Sequence, residues 1–245
     1  MDALIIAAGF GSRLRDISAS KPMTPIAGVP LLELGVRQAR AAGAERVVVV
    51  TGHEAERLEA ALPDLSTRAG IPVIAERVAD WSKPNGWSVL AGASLIDGDY
   101  LLMMSDHIFS GSILSRLARQ GGADRGVTLA VDLRCDDPLI DPEDATWVMR
   151  NEQGFITAIG KTLNTYDAVD CGAFLATPEL ADAIRAAIAE GKAGSLSEGM
   201  QKLADAGRAA TMDIGSAWWL DVDDPRAHAL AEAQAPRELP EIYGT

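Results

Sequence analysis

Residues 4–8 are an apolar run that empties directly into Gly9-Phe10-Gly11-Ser12-Arg13-Leu14. A continuous apolar strand is one buried on both faces, as strands of parallel sheets are. A glycine-rich turn at the carboxyl end of such a strand is where open α/β sheets bind their ligands. This junction therefore constrains both the fold and the position of a site.

The pattern recurs along the first half. Residues 47–51 and 100–104 read as further buried strands, and 72–75 as a short one. Residues 31–42 place Leu31, Leu34, Val36, Ala39 and Ala42 near helical spacing, and 54–62 and 88–95 also read as helices. Strands alternating with helices predict βαβ units. The expected fold class is α/β, a Rossmann-like, mostly parallel twisted sheet with helices on both faces. In the second half, 127–133, 146–150, 155–159, 171–175 and 209–214 read as strands. Residues 178–189 and 196–206 read as helices, and 225–233 as a closing helix with Pro225 in its first turn. The acidic stretch 136–144, with Pro138 and Pro142, reads as a surface loop. The last dozen residues, with Pro236 and Pro240, read as a loosely held tail.

Charge and cysteine content limit the partners. Against 35 Asp and Glu stand 22 Lys and Arg, a formal net charge of −13. That surface argues against a nucleic acid or an anionic membrane, which need basic patches. Cys135 and Cys171 form no CxxC pair, so neither a disulfide framework nor a structural zinc site is expected, and a reducing cytoplasm fits. No apolar run approaches the ~18 residues of a membrane span, and no basic segment precedes residue 4 as in a signal peptide. At 245 residues the chain suits one large domain.

The chemistry-bearing residues lie at predicted strand ends. Gly9 and Gly11 carry no side chains, so backbone N–H groups there can approach phosphate oxygens closely. Arg13 adds a planar fork suited to phosphate. The pattern argues against a nicotinamide or flavin site, because the third glycine of GxGxxG would fall at Leu14. Pro22 and Pro25 hold Lys21-Pro22-Met23-Thr24-Pro25 extended, which can set the lysine over a phosphoryl group. Asp106 ends the strand 100–104, a natural place for a Mg²⁺ ligand. Asp221 and Asp223 alternate along an extended segment and share a face, whereas Asp224 reads as the N-cap of the helix that follows. Asn85-Gly86-Trp87-Ser88 reads equally as a binding segment or as a turn with Ser88 as N-cap. Gly160-Lys161-Thr162 is not a P-loop, since five residues separate Gly154 from Gly160 where that motif has four.

Taken together, L-I-I-A-A-G-F-G-S-R-L-R and K-P-M-T-P-I-A-G-V-P-L-L-E resemble the signature of nucleotidyltransferases that make activated sugars and alcohols from a nucleoside triphosphate and a phosphomonoester. The resemblance implies the GT-A-like form of the fold, with residues 1–110 a nucleotide-binding half, 111–235 an acceptor-binding half and 236–245 the tail of a single domain spanning 1–245. It places Ala7, Ala8, Gly9, Gly11, Ser12 and Arg13 on the triphosphate and Lys21 at the reacting phosphate. Asn85, Gly86 and Ser88 fall near the base or ribose. Asp106 and Asp221 hold Mg²⁺, with Asp223 as a third member. The Ser105-Asp106-His107 form, Ile159-Gly160-Lys161 and Asp170-Cys171-Gly172-Ala173-Phe174 resemble the inositol-1-phosphate cytidylyltransferases. There Lys161 would hold the acceptor phosphate, Asp170 a ring hydroxyl, and His107 and Trp218 would line the acceptor pocket. The implied reaction is CTP plus inositol 1-phosphate to CDP-inositol and pyrophosphate, by in-line attack on the α-phosphate.

Alternatives stay open: a sugar 1-phosphate acceptor, phosphocholine caged by Trp81, Trp87, Trp218 and Trp219, or a non-catalytic nucleotide sensor. Many such cytidylyltransferases carry a fused membrane domain. The sequence stops at Thr245 without one, so a separate membrane CDP-alcohol transferase is expected to use the product. The oligomeric state is open, a homodimer included. Residues 110–150 match nothing in the resemblance.

Overall fold

Side-chain alternation in the first strand decides how the chain is layered. In β1 (Asp2–Ile6), Ala3 and Ile5 enter one apolar core while Leu4 and Ile6 enter another. A strand buried on both faces must sit mid-sheet with helices above and below. The structure, a computed structural model, describes residues 1–14, 16–120 and 125–243, and of Ser12 only the backbone.

The first half runs β2 (Pro25–Ile26), β3 (Val29–Pro30), α1 (Leu31–Ala41), β4 (Arg46–Thr51), α2 (Ala55–Ala69), β5 (Val73–Arg77), α3 (Gly86–Ala93), β6 (Tyr100–Met104), β7 (His107–Phe109) and α4 (Gly111–Arg119). The second half runs β8 (Val127–Asp132), β9 (Trp147–Arg150), β10 (Ile156–Gly160), β11 (Ala168–Ala176), α5 (Pro178–Ala189), α6 (Leu196–Asp205), β12 (Ala209–Asp213), β13 (Trp219–Asp221), α7 (Pro225–Glu238) and α8 (Pro240–Tyr243). Among the described residues, nine strands form one sheet. Its main path is β10-β9-β11-β6-β1-β4-β5, with β8 on β11 and β12 on β8. Strands β6, β1, β4 and β5 are parallel, the βαβ half the sequence predicts. The second half joins through β11, which runs antiparallel to β6, β8 and β9, so the sheet as a whole is mixed. Helices α1, α2 and α4 pack on one face, and α3, α5 and α6 on the other. No described helix is long and apolar enough to cross a membrane.

Two expected helix ends lie further on than predicted. Helix α2 runs through Pro63 to Ala69 instead of stopping at 62. An interior proline removes a backbone hydrogen bond, but Leu58, Leu62, Leu65 and Ala69 keep one buried stripe across it. Likewise α7 passes Pro236. Ala231, Ala235, Leu239 and Ile242 are buried in a third cluster with Leu14, Ile108 and Val222. The expected loose tail is therefore held as far as Tyr243, whose hydroxyl donates to the Ile26 carbonyl at 2.8 Å. Residues 244 and 245 lie outside the described residues.

Candidate active site

The glycine turn and Lys21 are packed against each other. Gly11 has φ +58°, and a Cβ there would meet Lys21 Cβ at 2.5 Å. Glycine is required at this position by backbone and neighbour alike. Gly9, in contrast, faces open space, with nothing within 4 Å of a Cβ added there. The Ala7 N–H is already used, donating to the Val50 carbonyl at 2.9 Å, so Ala7 and Ala8 form cleft wall.

Lys21 is the best-buried cation of the site, with 9% of its side chain exposed. Its ammonium donates to Asp106 Oδ2 at 2.6 Å and pairs with Asp223. Burial opposes its charge, but Asp106, Asp221 and Asp223 outweigh burial and raise its pKa. Arg13 pairs with the other Asp223 oxygen at 2.8 Å and with Asp144 at 2.7 Å.

Asp106 and Asp221 come together because β7 pairs with β13, in register His107↔Asp221. One ligand atom each from Asp106, His107 and Asp221 lie within 4.8 Å of one another. The carboxylates have opposite electrostatic fates. Burial opposes ionisation of Asp106, yet Lys21 and then His107 hold its pKa far below the usual carboxylate range. Burial pushes Asp221 up to about 6, with Asp106 and Asp223 adding to the rise and His107, its Nδ1 3.7 Å from Asp221 Oδ1, and Lys21 opposing it. Asp221 Oδ1 is buried with no hydrogen-bond partner. An orphaned buried carboxylate oxygen beside a second carboxylate is a donor set suited to a hard divalent cation, so the residues fit the expected ion. His107 lies in the same group, while Asp223, the expected third carboxylate, pairs with Lys21 and Arg13 beside it.

His107 is fixed from three sides. Nδ1 lies 2.8 Å from Asp106 Oδ1, and the ring stacks on Trp219 at 5.9 Å between centroids. A Cβ on Gly172, at φ +75°, would meet the ring at 2.5 Å. Burial opposes protonation, but Asp221 and Asp106 raise the imidazole to about 9. Trp219 is itself tied down by its indole N–H, which donates to Asp132 at 2.8 Å.

Two clefts meet here. One, of about 430 Å³, is lined by Gly9, Gly11, Lys21, Ser88, Trp81 and Lys83, among others. The other, of about 710 Å³, includes His107, Lys161, Asp170, Trp218 and Asp221. Arg13, Asn85, Met104, Asp106 and Asp223 border both. Asp170 accepts from the Gly172 N–H at 2.7 Å, and burial lifts its pKa to about 6. The indole N–H of Trp218 donates to Gln234 at 2.9 Å. Lys161 reaches in from the end of β10 and pairs with Asp144.

Other details differ from the sequence expectations. Ser88 lies inside α3, which starts at Gly86, so it is buried in the cleft wall and is not an N-cap. Gly86 is needed because a Cβ would strike the backbone at Gly194. Asn85 Oδ1 accepts the Leu196 N–H at 2.9 Å, anchoring α6 to the cleft. Asp224 does cap α7, accepting from Ala227 N–H at 2.7 Å. The side chain of Ser12 lies outside the described residues. Sequence reasoning missed Asp144 and Lys83, and read Trp219 only as part of a phosphocholine cage, not as the ring on which His107 stacks. Only Asp144 had a signal, as one of the acids in the loop 136–144.

The chain belongs to the family of the MobA-like NTP transferase domain, which it matches over residues 3–206. It is 35% identical over 231 residues to the "Bifunctional IPC transferase and DIPP synthase" of Rubrobacter xylanophilus, covering 94% of this chain and 51% of the relative. It is 31% identical to the "CMP-5'-(3-aminopropyl)phosphonate synthase" of Streptomyces rubellomurinus, over 98% of this chain and 40% of that one. The chain thus spans about half the length, or less, of these curated relatives. Among solved structures it is similar to the inositol-1-phosphate CTP transferase from T. maritima, with TM-score 0.83, 25% identity and 97% of each chain covered.

Proposed function

We propose that this chain is a cytidylyltransferase that converts CTP and inositol 1-phosphate to CDP-inositol and pyrophosphate. The observation that carries the reading is the pair of clefts sharing Asp106, Asp223 and Arg13 as a common wall. A two-substrate transfer needs two compartments that meet at the reacting atoms. The names of the relatives support the choice of substrates.

Residues 1–110 would hold the nucleotide and 111–235 the acceptor. The acceptor phosphate has a second pKa near 6, so it is mostly dianionic at neutral pH and needs no base. One of its oxygens attacks the α-phosphorus, and the bond to the β-phosphate oxygen breaks as pyrophosphate leaves. The task is to bring two anions together and stabilise the charge that develops. Lys21, kept protonated by three carboxylates, stabilises the α-phosphate. Arg13 holds the leaving pyrophosphate, Lys161 the acceptor phosphate, and Asp170 a ring hydroxyl. His107 and Trp218 bound the acceptor pocket, and Asn85 and Ser88 the nucleoside side. Asp106 and Asp221, with Asp223 close by, would hold Mg²⁺, which when bound neutralises phosphate charge as a Lewis acid. Cys135 and Cys171 are free thiols, in keeping with a cytoplasmic setting.

A grid of four nucleoside triphosphates against a panel of phosphomonoesters, scored by pyrophosphate release with Mg²⁺, tests the assignment. Release with CTP and inositol 1-phosphate is expected. Release with UTP or dTTP plus glucose 1-phosphate, and none with CTP, would overturn it. The phosphonate relative makes an aminoalkylphosphonate a necessary member of the panel.

A further inference from the structure

The loop 136–144 places one carboxylate where the two clefts' cations converge. Asp144 Oδ2 lies 2.7 Å from Arg13 Nη2, and Asp144 Oδ1 pairs with Lys161 Nζ. Arg13 belongs to the glycine turn and Lys161 to the end of β10, so a single side chain ties the two halves of the site together. Asp144 is 23% exposed, whereas Arg13 and Lys161 are 46% and 57% exposed. The loop is moored by its other residues. The Pro138 carbonyl accepts from Arg226 at 3.1 Å, and Leu139 packs on the third apolar cluster.

We propose that Asp144 is an internal stand-in for a substrate phosphate, occupying Arg13 and Lys161 in the free protein and yielding both cations to the anionic groups of the two substrates. This rests on the reading above, in which Arg13 serves the triphosphate and Lys161 the acceptor phosphate. Ion pairs this exposed are weak, so a polyanion displaces them. The exchange avoids a cost, because without Asp144 the Lys161 ammonium would lose the carboxylate it pairs with, while Arg13 would keep Asp223 at 2.8 Å and Asp141 at 3.8 Å. Burial opposes charge on Asp144, but Lys161 and Arg13 hold its pKa down at about 2, so it remains an anion throughout the neutral range.

A consequence is coupling between the substrates. A triphosphate on Arg13 sets like charge against Asp144 and drives it out, which also frees Lys161. Each anion then favours the state the other needs, and the effect is reciprocal. Two bound anions without this device would only repel each other, so the sign of the coupling is diagnostic.

The test uses inorganic tripolyphosphate and inorganic phosphate as probes, with inositol 1-phosphate in parallel, followed by calorimetry on the full chain. Neither pair turns over. Asp144→Asn is compared with wild type and with Asp136→Asn, a matched charge loss on an exposed residue of the same loop. Asp144→Asn should bind tripolyphosphate at least about threefold more tightly than wild type, with Asp136→Asn unchanged. Phosphate should tighten tripolyphosphate binding in wild type by about fivefold, and weaken it in Asp144→Asn. Equal affinity in wild type and Asp144→Asn, the same gain in Asp136→Asn, or phosphate weakening tripolyphosphate in wild type would each overturn the proposal. The two inorganic probes carry no base and no inositol ring. A positive result alongside a failed substrate grid would therefore sink the substrate assignment while leaving the Asp144 exchange intact.

Discussion

Lys21 Nζ sits 2.6 Å from Asp106 Oδ2 across 85 positions of sequence, with only 9% of the lysine side chain exposed. Lys21 opens a short 3-10 helix, Lys21–Met23, and not the extended stretch that Pro22 and Pro25 predict, because proline fits the first turn of a helix. That turn delivers the lysine to the end of β6, where both clefts open. A buried cation with three carboxylates around it acts on charge rather than on binding alone. Lys21→Ala should cut kcat by about 100- to 1,000-fold while changing KM for CTP much less. Steady-state pyrophosphate release measures both. An unchanged kcat with only weaker CTP binding would remove Lys21 from the chemistry.

Asp221 carries an orphaned buried oxygen, and Asp221→Asn keeps the shape while removing the charge. The Mg²⁺ concentration needed for half-maximal activity should rise at least about tenfold. Thermal melts with and without Mg²⁺ give a second reading, since the shift on adding the ion should shrink in the variant. A variant with the wild-type Mg²⁺ dependence in both assays would leave Asp221 outside the metal site.

The two glycines of the turn should separate cleanly. Gly11→Ala forces a left-handed backbone on alanine, at about 1–2 kcal/mol, and drives a methyl into Lys21. Both stability and kcat should fall. Gly9→Ala meets nothing, so its melting temperature should stay within about 1 °C of wild type, while KM for CTP rises because a methyl now stands between backbone and phosphate. If Gly9→Ala left KM untouched, phosphate would not approach this part of the turn.

Asp170 makes stability depend on pH. Burial raises its folded pKa to about 6, above its ordinary value near 3.9. The folded protein therefore binds more protons than the unfolded chain between those limits, and this contribution is lost as pH rises from about 4 to 6. Asp170→Asn removes it. The variant should melt higher than wild type at pH 7.5, gain little at pH 4, and lose activity with the acceptor. Equal gains at both pH values would assign the stability effect to something other than the buried charge.

The sequence is legible where signals are local. The buried first-half strands β1, β4 and β6 carry continuous apolar runs, and β6 matches its predicted span. Both overrun helices failed at a proline, Pro63 in α2 and Pro236 in α7. In each case apolar spacing on both sides outweighed the missing hydrogen bond. Helix α4 has no counterpart among the elements expected from the sequence, although Ile113, Leu114 and Leu117 are its buried stripe. The β7–β13 pair is three residues a side and joins positions 107 and 221, so no local pattern announces it. The convergence of Asp106 and Asp221 came from family likeness. Asp144 was read as solvated because its partners, Arg13 and Lys161, lie 131 and 17 positions away.

The antiparallel seam between β6 and β11 joins the halves through main-chain pairing, from Ala173↔Met103 to Ala176↔Tyr100. Backbone bonds of this kind are indifferent to side-chain identity. Evolution, or an engineer, can thus rebuild the far bank of the seam while the glycine turn and Lys21 on the near bank stay untouched. Gly172 is the toll on such rebuilding, since any larger residue there evicts the His107 ring.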